Sequence, residues 1–92
     1  MLIKPQFEAG KEKVGKKGVV RDPKTHEEVI EKIVRFSQEH GLNVDGLTFS
    51  PVRGPEGNIE YLICVSKKEA QPPFDRDIII EVVKKAHEVL DK

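Results

Sequence analysis

The sequence predicts an α/β fold, in the order strand end, basic loop, helix, strand, turn, strand, helix. Two segments, residues 22–41 and 75–91, carry apolar residues at the three-and-four spacing of a helix. Between them lie two apolar runs, 42–52 and 59–66, and the stretch that separates them, RGPEGN, is turn chemistry from end to end. A chain of 92 residues is enough for one small domain with one modest core.

The first element is short. Met1 to Lys4 precede Pro5, which cannot donate to a ladder. Strands usually run about five to six residues, so this opening reads as the end of a strand. A glycine- and lysine-rich loop follows. Asp22 is then a good N-cap, Pro23 suits the first helical position, and Glu27 and Glu28 favour the positive end of the helix dipole. Val29, Ile30, Ile33, Val34 and either Phe36 or Ser37 make one apolar face, and Gly41 is the natural stop. In the strand at 42–52, Leu42 and Val44 share one parity while Leu47 and Phe49 share the other. Asp45-Gly46 between them predicts a bulge or bend that resets the phase. The run at 59–66 is almost continuously apolar, the pattern of a strand buried on both faces, and Glu60 is its exception. Residues 67–74, with two prolines, form a linker. Asp75 caps a last helix with Ile78, Ile79, Val82, Val83, Ala86, Val89 and Leu90 as its apolar positions.

Charge balances overall, with 16 basic and 16 acidic side chains, but not locally. Residues 1–24 hold seven basic groups against three acidic ones, an asymmetry that suggests an anionic partner for that end. A merely solvated basic loop explains the same charges. Gly10, Gly15 and Gly18 let the loop adapt to a ligand. Its spacing is not that of a P-loop, which needs a Ser or Thr and a strand–helix setting. No aromatic residue is interleaved for base stacking.

The single cysteine, Cys64, excludes an internal disulfide framework, and its apolar surroundings predict a buried structural thiol. His26, His40 and His87 lie far apart in sequence, with no cysteine or paired carboxylate at ligand spacing, so no metal site is expected. No run approaches the roughly 18 apolar residues of a membrane span, and no signal-peptide pattern is present. The expectation is a cytoplasmic protein that does not enter the membrane.

Lys4 and Glu60 share an unusual setting. Each is a charged residue at the edge of an apolar strand, beside a glycine- or proline-rich loop. A buried charge needs a partner, because leaving one unpaired costs several kcal/mol. A Lys–Glu pair at adjacent strand ends satisfies both; the alternative is that each marks where its strand reaches solvent.

Two strings go further. LIKPQFEAGKEKVGKKGVVRDPKTHEEV and LTFSPVRGPEGNIEYLI closely resemble the C-terminal part of the TlyA, or hemolysin A-like, family of FtsJ-like ribosomal RNA methyltransferases, which use S-adenosylmethionine. The resemblance runs from Leu2 to about Val65, and the last helix also fits the family's end. It implies the C-terminal portion of a Rossmann-like methyltransferase fold: strand end, helix, β-hairpin and C-terminal helix, all within one partial domain at 1–92. Lys4 then aligns with the second lysine of the family's Lys–Asp–Lys–Glu tetrad, at the end of the fifth strand, and Glu60 with the closing glutamate, on the seventh. That edge of a parallel sheet is where α/β enzymes do chemistry.

The resemblance implies ribose 2′-O-methylation of ribosomal RNA. A lysine can orient a hydroxyl and stabilise developing negative charge, while a carboxylate nearby favours its ammonium form. Orientation is therefore expected over simple general-base action. With the resemblance, Lys11, Lys13, Lys16, Lys17 and Arg21 are expected to meet RNA phosphates. The family's N-terminal RNA-binding domain, its glycine-rich cofactor loop, and the first lysine and the aspartate of the tetrad have no counterpart here. The chain is thus expected to correspond to roughly the C-terminal third of the enzyme, to bind no S-adenosylmethionine and to be inactive alone. A sheet edge without its usual neighbour predicts self-association. The rival reading is a stand-alone RNA-binding or structural module without catalysis.

Overall fold

The computed structural model describes residues 1–8, 18–54, 57–67 and 74–90. Six elements follow one another: β1 (Leu2–Ile3), α1 (Pro5–Glu8), α2 (Pro23–Glu39), β2 (Leu42–Phe49), β3 (Tyr61–Lys67) and α3 (Arg76–Leu90). The strands form one antiparallel sheet in the order β1-β3-β2, so β3 is central. Lys11, Lys13, Lys16, Lys17 and nearly all of the 67–74 linker lie outside the described residues.

The predicted helices are present with their caps. Asp22 Oδ1 accepts from the Lys24 amide at 3.0 Å, Pro23 opens α2, and Gly41 terminates it at φ 77°. A positive φ is cheap only without a Cβ, which is why glycine stands there. Ser37 rather than Phe36 completes the buried face: Ser37 is 3% exposed and Phe36 61%. Asp75 caps α3 by accepting from the Asp77 amide at 2.9 Å.

The bulge is also where the sequence places it. Pairing shifts between Val44 and Gly46, leaving Asp45 as the extra residue of β2. Val44, Leu47 and Phe49 therefore all reach the core despite their opposite parities. That core joins Ile3, Tyr61 and Ile63 of the sheet to Val29, Ile30 and Val34 of α2 and to Ile79, Val83 and Ala86 of α3. Both helices thus pack on one face of the sheet.

Three expectations need correction. Residues 5–8, read as the start of a loop, form a single helical turn. Pro5 supplies a fixed φ at its first position, and the Lys4 carbonyl accepts from the Phe7 and Glu8 amides at 2.9 and 3.2 Å. The strand at 42–52 ends at Phe49, because the Ser50 hydroxyl accepts from the Val52 amide at 3.3 Å and turns the chain. The run at 59–66 is not buried on both faces. Tyr61 and Ile63 are fully buried, whereas Leu62 is 38% exposed and Cys64, expected to be a buried thiol, is exposed. Among the described residues no element covers that second face.

The described end of the basic loop, just before α2, is anchored in the protein. Val19 and Val20 are buried. Ile30, with no exposed surface, tests the core directly. Ile30→Ala should cost about 2–5 kcal/mol of unfolding free energy in urea. Phe36→Ala, on the exposed face, should stay within about 0.5 kcal/mol.

Candidate active site at the ends of strands β1 and β3

Register alone brings the two candidate charges together. Leu2 pairs with Leu62 and Ile3 with Tyr61, so one step further along the antiparallel ladder Lys4 stands across from Glu60. Lys4 ends β1 and Glu60 enters β3. Both lie at the same end of the sheet.

The two differ in environment. Glu60 is 8% exposed, and its Oε2 accepts from Gln6 Nε2 at 3.3 Å. Lys4 is half-buried, with Nζ 5.7 Å from the centroid of the exposed Phe7 ring. The expected ion pair between them is not formed. The turn of α1 brings Phe7 under the ammonium and Gln6 against the carboxylate, so each charge already has a neighbour. A cation over an exposed ring gains only about 0.5–1 kcal/mol, which leaves Lys4 free to move at small cost.

The loop from β2 to β3 encloses Glu60 from the other side. The Ser50 amide donates to the Glu60 carbonyl at 2.8 Å, and the Gly54 amide donates to the Asn58 carbonyl at 2.7 Å. Asn58 is buried and ties this loop to the chain entering α2. Its Oδ1 accepts from the Val20 amide at 3.0 Å and its Nδ2 donates to the Gly18 carbonyl at 2.9 Å. Below the site, the His26 ring is 1% exposed and spans 2.8 Å contacts at both nitrogens, to the Tyr61 hydroxyl and to the Val20 carbonyl. Because a carbonyl only accepts, Nε2 carries a proton, and in the neutral ring Nδ1 accepts from Tyr61.

Arg21 is exposed at the start of α2. His26 and His87, far apart in sequence, are neighbours in space with ring centroids 4.8 Å apart. Among the described residues no group of three His, Cys, Asp or Glu is placed to hold a metal ion, and no helix is long and apolar enough to cross a membrane. Sequence reasoning missed Gln6, His26, Asn58 and Tyr61. Gln6 and Asn58 both sit inside the strings quoted above, where they read as loop and turn residues.

Comparison with known proteins gives this arrangement a family. The model of the FtsJ-like methyltransferase family matches residues 1–67. The chain belongs to the FtsJ-like methyltransferase family. Within that family it is 45% identical, over 92 residues, to YqxC of Bacillus subtilis, described as a candidate rRNA methyltransferase; the match covers 97% of this chain and 33% of that one. It is also 45% identical over 62 residues to the 16S/23S rRNA (cytidine-2′-O)-methyltransferase TlyA of Mycobacterium tuberculosis, covering 67% of this chain and 23% of TlyA. A solved structure described as a candidate hemolysin from Streptococcus thermophilus superposes with a TM-score of 0.91 at 42% identity, over 98% of this chain and 32% of that one. The chain spans about a third of the length of YqxC and of the Streptococcus thermophilus protein. Its α/β architecture is part of the Rossmann-like methyltransferase fold of this FtsJ-like family.

The His26–Tyr61 contact offers a check on how firmly β3 is seated. Tyr61→Phe leaves a buried imidazole nitrogen without its donor and should cost about 1–3 kcal/mol, read as a lower urea midpoint at unchanged slope.

Proposed function

We propose that the chain supplies the hydroxyl-handling half of the active site of a ribosomal RNA ribose 2′-O-methyltransferase. The observation that supports this reading is the register of β1 on β3: Lys4 follows and Glu60 precedes its Ile3–Tyr61 pair, at one end of the sheet. The family match and the 2′-O specificity in TlyA's name support it. In this reading the Lys4 ammonium orients the attacking 2′-oxygen and stabilises the negative charge that grows as its proton leaves. Glu60 holds the ammonium side of the site negative and fixed. Lys11, Lys13, Lys16, Lys17 and Arg21 neutralise RNA phosphates without reading sequence. A ribosomal RNA substrate implies a cytoplasmic enzyme.

S-adenosylmethionine, the methyl donor of the family, does not fit these residues. Among the described residues no glycine-rich turn joins a strand to a helix N-terminus to cradle it. In this reading the 92 residues are inactive alone and bind no cofactor. In this reading residues 1–92 act as one partial domain, with 67–74 as the linker before α3.

A chimera joining the N-terminal two-thirds of YqxC to this chain tests the function. It should transfer labelled methyl groups to ribosomal RNA, and Lys4→Ala should reduce the rate by about 10²–10⁴-fold, with Glu60→Ala also strongly impaired. A folded, cofactor-binding chimera that transfers no methyl group would overturn the reading. So would a Lys4→Ala variant that retains the parent rate.

We also propose that the isolated chain associates with itself. β1 is an edge with one partner, and Met1, Leu2 and Leu62 are exposed beside it. Sedimentation at tens of micromolar should show a species of at least twice the monomer mass. A monomer throughout that range would refute this.

A further inference from the structure

Glu60 is held from two sides by groups with no role in the function proposed above. On one side Gln6 Nε2 donates to Oε2 at 3.3 Å. On the other is Gly54, whose missing side chain is what gives the carboxylate room. A Cβ there would collide with Oε2 and stand 2.6 Å from Cδ and 3.2 Å from Cγ. A side chain at this position would push the Glu60 carboxylate out of its place. The backbone here is held by the Gly54–Asn58 hydrogen bond, so it cannot easily withdraw.

The Gln6 amide is itself only half used. Its Oε1 is buried and has no hydrogen-bond partner. Turning the amide over would not help, because Oε1 would then face the Glu60 carboxylate, acceptor against acceptor. The charge on Glu60 thus dictates which way Gln6 points. An unpartnered buried acceptor costs about 1–3 kcal/mol, and that cost persists unless a donor arrives. A strong donor on the same turn is the Lys4 ammonium, two residues earlier, now placed over the Phe7 ring.

We propose that Gln6 is a positioning residue that couples Lys4 to Glu60, its Nε2 orienting the carboxylate in the space left by Gly54 and its Oε1 receiving the Lys4 ammonium when that group leaves Phe7. The direct ion pair is then unnecessary. An amide between the two charges fixes both without neutralising either, and leaves the remaining ammonium protons for a substrate hydroxyl. The inference rests on the reading of Lys4 and Glu60 as site residues, and its test separates the two.

The first measurement uses the 92-residue chain. In side-chain amide NMR spectra, the Gln6 NH₂ resonances should move through the pH range in which Glu60 ionises, and this dependence should vanish in Glu60→Gln. Gly54→Ala should displace the same resonances. Gln6 resonances that ignore Glu60 would overturn the proposal, whatever the chain's function. The second measurement uses the YqxC chimera. Gln6→Met keeps the side chain's shape but removes both amide groups. It should lower kcat by about 10–100-fold while KM for RNA and the melting temperature stay near those of the parent. An unchanged kcat would overturn the positioning role. An inactive parent chimera would count against the proposed function, and the NMR result would still decide the coupling.

Discussion

Two residue pairs, Leu2 with Leu62 and Ile3 with Tyr61, carry the constraint on which the remainder depends. They are the ladder pairs that join β1 to the sheet. Met1 extends the ladder by exchanging hydrogen bonds with Ile63, at 2.7 Å from its amino group and 2.9 Å to its carbonyl. Since side chains alternate across a strand, a slip of one residue would send Ile3 out of the core and Leu2 into it. Ile3 is 1% exposed and Leu2 43%, so burial pins the register. The same register sets Lys4 across from Glu60. Core packing and site geometry are therefore one constraint, and the site inherits its precision from a buried isoleucine.

Tyr61 shows how the neighbouring elements are tied to that pairing. Its backbone pairs with Ile3 and Phe49, its ring fills the core, and its hydroxyl reaches His26 on the first turn of α2. His26 passes the connection to Val20, and Asn58 holds Val20 and Gly18 from the β2–β3 loop. The chain entering α2 is thus fastened beside the same strand end that carries Glu60. In the functional reading, Gly18 and Val20, which follow the basic stretch in sequence, are held beside the site. That is where positive charge has use for a polyanionic substrate.

Much of this was legible in the sequence, for identifiable reasons. Caps and bulges are local: Asp22, Gly41 and Asp45-Gly46 act through their own backbone, so their neighbours in sequence suffice to read them. The setting of Lys4 and Glu60 as charges at strand ends was visible because charges break apolar runs conspicuously, but the ion pair expected between them is not formed. Burial on both faces of β3 was not a safe reading, because an apolar run records what a strand can bury and not what covers it. Leu62 and Cys64 show the difference. The choice between Phe36 and Ser37 needed the exact facing of α2 toward the sheet, which the periodicity leaves open by one position. His26 beside His87 and Gln6 beside Glu60 are long-range meetings between residues that look unremarkable alone.

The one-sided sheet and the half-site belong to the same division of labour. Methyl transfer to a hydroxyl needs a methyl donor held still and an oxygen stripped of its proton in line with it. These demands use different groups: a cradle for the donor, and a charged, oriented pair for the oxygen. Here the second set rests on β1, the turn of α1 and the entry to β3, and is held by a core that both helices complete from one face. The donor's cradle needs a glycine-rich turn and the helix it opens, and neither is among these elements. In the proposed reading, the oxygen-handling geometry depends on Ile3, Tyr61 and Gly54, none of which has chemistry of its own.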